Sequence, residues 1–196
     1  GTMGEGHISD NWRRADLYER YVGRWSRQVA PKFLEWLGCA AGLRWLDVGC
    51  GSGALCAAIL DHCAPKSVDG VEPSAGFLET ARANLAGRVA LHQGSAGDIP
   101  LEDAAVDVVV SGLVLNFVTD QPAALEEMRR VARPGGAIAA YVWDYAGKMD
   151  MMRFFWDAAS EMDPTAAQLD ESIRFSLCTP DRSEEHTSEL QSPYVI

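Results

Sequence analysis

Along the first part of the chain the apolar positions recur every three or four residues. Leu17, Tyr21, Trp25, Val29, Phe33 and Trp36 follow this spacing, which predicts one or two amphipathic helices between Asn11 and Gly38. From Trp45 onward the pattern changes to short β-branched runs separated by helix-forming stretches. Strands are predicted at about 44–49, 67–72, 88–93, 106–111 and 136–143. Between them, Ala54–Asp61, Ala75–Ala86 and Pro122–Ala132 are rich in Ala, Leu, Glu and Arg, and Pro122 suits a first helical turn. Alternation of this kind predicts an α/β fold, a mostly parallel sheet with helices on both faces. The run Val106-Asp107-Val108-Val109-Val110 is almost wholly apolar, as strands covered on both faces are. Arg133-Pro134-Gly135-Gly136 is expected to end a helix and turn the chain into strand five, and Met149–Met162 is expected to form a further helix.

Composition narrows the function classes. With 47% apolar and 23% charged residues the 196-residue chain is an ordinary globule with one core. A formal charge of −11, with no Lys/Arg run longer than two, repels phosphate backbones and anionic lipid, so neither nucleic acid nor membrane is an expected partner. The densest apolar segment, Ala104–Val118, is interrupted by Asp107 and Asn116 and is no candidate span. Five cysteines without C-x-x-C spacing are expected to be unpaired thiols, and the start of the chain lacks a basic-then-apolar signal; together these predict a soluble, cytoplasmic enzyme. His7, His62 and His92 are scattered, so no metal site is expected. Oligomeric state is left open.

The candidate chemistry gathers at one turn. Leu46-Asp47-Val48-Gly49-Cys50-Gly51-Ser52-Gly53 lies between a predicted strand and a predicted helix, where glycines let backbone N–H groups approach a ligand. Asp47, two residues before the first glycine, favours a cationic ligand such as S-adenosylmethionine (SAM) over a dinucleotide pyrophosphate, which a carboxylate repels. Glu72 closes the second strand, 19 residues after Gly53, where a carboxylate accepts from both hydroxyls of a ribose; Pro73 and Ser74 then lead into the next helix. Two rival classes share these features. One is a nicotinamide-dependent oxidoreductase, and the other is a SAM-binding protein without transferase activity.

The residues resemble the class I SAM-dependent methyltransferases, in particular the small-molecule branch that includes the ubiquinone and menaquinone biosynthesis enzymes. The resemblance runs from about residue 18 to 181. It rests on the glycine turn, on Val71-Glu72-Pro73-Ser74, on Gly94-Ser95-Ala96-Gly97-Asp98-Ile99-Pro100, on Ser111-Gly112-Leu113 after strand four, and on Arg133–Gly136. It implies a Rossmann-like fold, SAM as cofactor, and methyl transfer to an O, N or C atom of a small organic acceptor. It implies further that Gly94, Ser95 and Ala96 border the adenine, that Ser111 and Leu113 line the floor under the sulfonium, and that Tyr21 and Arg24 of an N-terminal cap close over the cofactor. Ser95 stands where relatives commonly carry Asp. No universal catalytic residue is implied, although Asp144 is a candidate base. The Asn/Asp-Pro-Pro-Tyr signature of base-methylating enzymes is replaced by Ser111-Gly112-Leu113-Val114.

The expected organisation is a helical cap over 1–43, a SAM-binding domain over 44–181, and a tail over 182–196. The tail, from Arg182 to Ser192, resembles a translated sequencing adapter. On that reading the domain is truncated, and strand five, Ala137–Trp143, is left with an unpaired edge.

Overall fold

The computed structural model describes residues 26–112, 120–143, 152–158 and 177–178. Helix α1 spans 26–37. It is followed by β1 (Arg44–Val48), α2 (Ala54–His62), β2 (Ser67–Glu72), α3 (Ala75–Leu85), β3 (Ala90–Gln93), β4 (Val106–Gly112), α4 (Gln121–Val131), β5 (Ala132–Trp143) and β6 (Met152–Ala158). The six strands form one sheet in the order β3-β2-β1-β4-β5-β6. β1 to β5 are parallel, and β6 is antiparallel to β5. This is the α/β architecture that the alternating pattern predicts and the Rossmann-like fold that the resemblance implies.

Side-chain alternation sorts the sheet into two faces. Trp45, Val68, Val108, Val110, Ala137, Ala139 and Tyr141 pack with α1, α2 and α3. Leu46, Val48, Val71, Val109, Ile138, Ala140 and Phe155 pack with Ala124, Leu125, Met128 and Val131 of α4. Through Val29, Ala30, Phe33, Leu34, Trp36 and Leu37, α1 shares its core with the sheet. The helix ends follow local chemistry. Ser74 Oγ accepts from Phe77 N at 3.3 Å and Asp120 Oδ1 from Ala123 N at 3.0 Å, so α3 and α4 carry side-chain N-caps. α2 instead follows Gly53, which has φ of 95° and makes no side-chain cap.

Three expectations need correction. The segment expected as a helix over Met149–Met162 contains strand β6, which pairs with Ala137–Trp143 residue for residue. Its sequence, Met152-Arg-Phe-Phe-Trp-Asp-Ala158, is rich in aromatics that suit a pleated surface, and β5 offers it an open ladder. Asp157 disguised the alternation: it lies on a buried face, 6% exposed, and its Oδ2 accepts from Arg129 Nη2 of α4 at 3.0 Å. Consequently β5 is not an unpaired edge. Strand five also begins earlier than predicted. Val106 pairs with Ala132 and Val108 with Ala137, so Arg133–Gly136 bulge out opposite Asp107 instead of turning the chain before the strand. Gly136 is required there, because a Cβ would come 2.4 Å from the Asp107 carbonyl oxygen.

The third correction concerns cysteine. Cys39 and Cys178 form a disulfide across 139 residues of sequence, while Cys50, Cys56 and Cys63 are free thiols. Spacing along the chain carries no trace of such a pair; the fold brings the end of α1 against Leu177 and Cys178, where Ala40 N donates to Leu177 O at 2.7 Å. Among the described residues no helix is long and apolar enough to cross a membrane.

Candidate functional site

The glycine turn, Glu72, Gly94 and Ser111 come together at the C-terminal ends of β1 to β4, and the neighbours β1 and β4 mark the point where the strand order reverses. Open α/β sheets bind ligands at that place. Gly49, Gly51 and Gly53 have φ of 71°, 54° and 95°, a left-handed backbone that any side chain strains. At Gly53 there is a second reason: a Cβ would stand 2.8 Å from Leu85 Cδ1, so this glycine also lets α3 approach the turn. The turn is tied to β2 by Gly49 N and Cys50 N, which both donate to Val71 O, at 2.7 and 3.0 Å.

Glu72 is buried, 7% exposed, and its carboxylate is held from two sides. Oε1 accepts from Gly51 N at 3.1 Å and Oε2 from Ser74 N at 2.7 Å. The Glu72 carbonyl in turn accepts from Gly94 N at 3.2 Å, which sets the β3 loop beside the carboxylate. Gly94 sits tightly, since a Cβ would meet Pro100 Cδ at 2.7 Å. Beyond it Ser95 is exposed and Ala96 half-buried, and Pro73 is exposed. The loop is braced from α4. Arg130 donates to Leu101 O and Ile99 O at 2.9 Å each and to Asp103 Oδ1 at 2.8 Å, while Glu127 Oε1 accepts from Ile99 N at 2.9 Å.

Asp47 is 1% exposed. Burial pushes its carboxyl up to about 7, and Glu72 adds to the rise, whereas a hydrogen bond from Cys56 opposes it. Its Oδ2 accepts from Cys56 Sγ at 3.3 Å, and its buried Oδ1 has no partner. Ser111, fully buried on β4, likewise has an Oγ without a partner. Such orphans cost about 1–3 kcal/mol each unless a ligand or water meets them. A cationic ligand with several donors suits them, and SAM has both properties.

Tyr141 joins this neighbourhood from β5. Its ring fills the space that a Cβ on Gly112 would need, its hydroxyl donates to Ser26 Oγ of α1 at 3.2 Å, and Phe33 meets it edge-on at 5.0 Å. Burial pushes its phenol well above the usual range. Neither Tyr141 nor Cys56 is legible in the sequence as a site neighbour, because Tyr141 meets Gly112 and Ser26 through contacts distant in sequence and Cys56 meets Asp47 from within a helix. Tyr21, Arg24, Leu113 and Asp144 lie outside the described residues. A cavity of about 350 Å³ lined by Leu34, Glu35, Cys39, His62 and Cys63 contains no residue of the turn, and is set apart from this site.

Residues 46–140 match the methyltransferase domain family. Residues 46–140 are thus a methyltransferase domain of the class I, SAM-dependent kind. It is 30% identical to a malonyl-[acyl-carrier protein] O-methyltransferase of Pectobacterium atrosepticum, over 87% of this chain and 65% of that protein. It is 34% identical to a demethylmenaquinone methyltransferase of Staphylococcus aureus, over 58% of this chain and 47% of that protein. Among solved structures, a SAM-dependent methyltransferase from Thermotoga maritima superposes with a TM-score of 0.55 at 25% identity, over 70% of this chain and 61% of that one. The chain spans between 43% and 65% of the length of these and other curated relatives. SAM is the methyl donor of this family, and the orphaned Asp47 oxygen and Glu72 carboxylate fit it.

Proposed function

We propose that the chain binds SAM across the ends of β1 to β4 and transfers its methyl group to an O, N or C atom of a small organic acceptor. The observation that carries this reading is the pair of buried carboxylates flanking the glycine turn. Glu72 is fixed by two backbone N–H groups at the edge of the turn, and a carboxylate oxygen can accept more than one hydrogen bond, the chemistry that a ribose hydroxyl needs. Asp47 offers its unpartnered Oδ1 to the cationic end of the ligand. Gly49, Cys50, Gly51 and Gly53 keep the approach to the backbone open. Pro73, Gly94, Ser95 and Ala96 border the base, Ser111 and Leu113 form the floor, and Tyr21 and Arg24 close the site from the N-terminal side.

SAM supplies a methyl group already activated on a sulfonium, so the residues here need only hold it in line with the acceptor and exclude water. The demethylmenaquinone relative supports a small organic acceptor, and the malonyl relative, whose acceptor is a malonyl group on a carrier protein, differs from it in chemistry. Domain organisation follows the same reading: a cap over 1–43, the SAM-binding unit over 44–181 and a tail from 182.

Calorimetric titration with SAM and with NAD tests the cofactor. SAM is expected to bind and NAD not, and Glu72→Ala is expected to weaken SAM binding by about 2–4 kcal/mol, since charge-assisted hydrogen bonds contribute roughly 1.5–3 kcal/mol each and are not fully additive. Unchanged SAM affinity in a folded Glu72→Ala variant ends the ribose assignment. Turnover of labelled SAM against a panel of small acceptors then tests the transfer itself.

A further inference from the structure

Asp47 holds its two oxygens in different states. Oδ2 is occupied by the Cys56 thiol at 3.3 Å, and Oδ1 is buried and unpartnered. Cys56 lies in the first turn of α2, three residues beyond Gly53, and is fully buried. The adjacent Cys50 thiol, burial and the Asp47 carboxylate all push the Cys56 thiol well above its ordinary range. It therefore keeps its proton and meets Asp47 as a donor.

We propose that Cys56 is a positioning residue for SAM binding: its S–H holds Asp47 Oδ2, which fixes the carboxylate and leaves Oδ1 as the acceptor for the cationic cofactor. This rests on the reading of Asp47 as the carboxylate that faces SAM. The physical logic is that a buried acid surrounded by few donors drifts toward its protonated form, and a protonated Asp47 attracts a cation poorly. Apart from the thiol and the backbone N–H of Cys56 itself, the groups around Asp47 do not keep it ionised. Glu72 of β2 repels it, Tyr141 of β5 is neutral because burial holds its proton, α1 contributes the uncharged Ser26 hydroxyl through Tyr141, and β4 presents Val110 alongside it. Cys50, within the turn, stands beside Cys56. Two hydrogen bonds act in the ionised form's favour, the Cys56 thiol first and the Cys56 backbone N–H after it, and only the thiol is removed by substitution at this position.

The test is calorimetric SAM affinity as a function of pH for the full chain and for Cys56→Ala, Cys56→Ser and Asp47→Asn, with thermal melts to show that each variant is folded. In the unsubstituted protein, affinity is expected to fall as pH drops through the Asp47 midpoint near 7. Cys56→Ala is expected to move that midpoint upward and weaken binding at neutral pH about tenfold, the equivalent of one pKa unit. Cys56→Ser, which restores a donor, is expected to return both toward the original values. Cys56→Val removes the donor while filling the space, and serves if the alanine variant does not fold. A Cys56→Ala or Cys56→Val protein with unchanged midpoint and affinity, beside an Asp47→Asn protein that binds poorly, overturns the positioning role alone. If Asp47→Asn itself binds SAM as the unsubstituted protein does, the reading of Asp47 falls, and the role of Cys56 falls with it.

Discussion

At the residue scale the unusual feature is a carboxylic acid kept in the core with one oxygen unsatisfied. Asp47 is raised from 3.8 to about 7 chiefly by burial, so the folded protein binds its proton more tightly than the unfolded chain does. Linkage then fixes the sign: the stability attached to this group is fully present below the unfolded value and is lost as pH rises through the folded one. Asp47→Asn should therefore match the unsubstituted protein in acid and exceed it at alkaline pH, by on the order of 4 kcal/mol for a shift of this size. Urea denaturation of the ligand-free protein on both sides of neutrality measures the difference, and equal stabilities throughout would refute it. The same substitution should weaken SAM binding, a trade of stability against function that buried ligand-facing charges commonly make.

At the scale of elements, the loop after β3 is held by α4, with which Ile99 shares a core. Arg130 of α4 reaches the carbonyls of Ile99 and Leu101 and the carboxylate of Asp103, and pairs with Glu127 one turn earlier. Glu127 returns a bond from Ile99 N, so loop and helix are laced reciprocally. Arg130→Ala is expected to cost about 2 kcal/mol, because two backbone carbonyls lose charge-assisted partners. It should also raise the Kd for SAM by loosening Gly94–Ala96 without touching the turn at Gly49–Gly53. Equilibrium denaturation and SAM titration read the two effects separately. A variant that loses stability but binds SAM normally would show that the brace serves the fold alone. Glu72 works in the same way at shorter range, since it joins the glycine turn to the start of α3 through Gly51 N and Ser74 N.

At the scale of the whole molecule, β6 closes the side of the sheet that the sequence pattern left open. It pairs with β5 from Ala137 to Trp143, places Phe155 in the core beneath α4, and anchors Asp157 to Arg129. A chain ending after Trp143 would bare an apolar strand edge, a template for association. It is expected to aggregate in size-exclusion chromatography and to melt below the chain that retains β6. Monomeric behaviour with an undiminished melting temperature would show that β6 contributes nothing to the edge. Replacing Asp157 by Ala in the full chain should be milder, at about 1–3 kcal/mol, because Arg129 is partly exposed and regains water.

The sequence by itself determined the parallel core and the place of the site. Short strand-like runs of five or six residues alternate with helix formers, and glycines at positive φ with acids at the flanking strand ends are local requirements, written where they are used. Tertiary structure alone decided β6, the Cys39–Cys178 bond, the bulge at Arg133–Gly136 and the partners of Asp47. Each depends on what another segment presents: an open ladder for an aromatic-rich stretch, a second thiol 139 residues away, a buried carboxylate facing one turn of α2. Periodicity records which way a side chain points, and only packing decides what it meets.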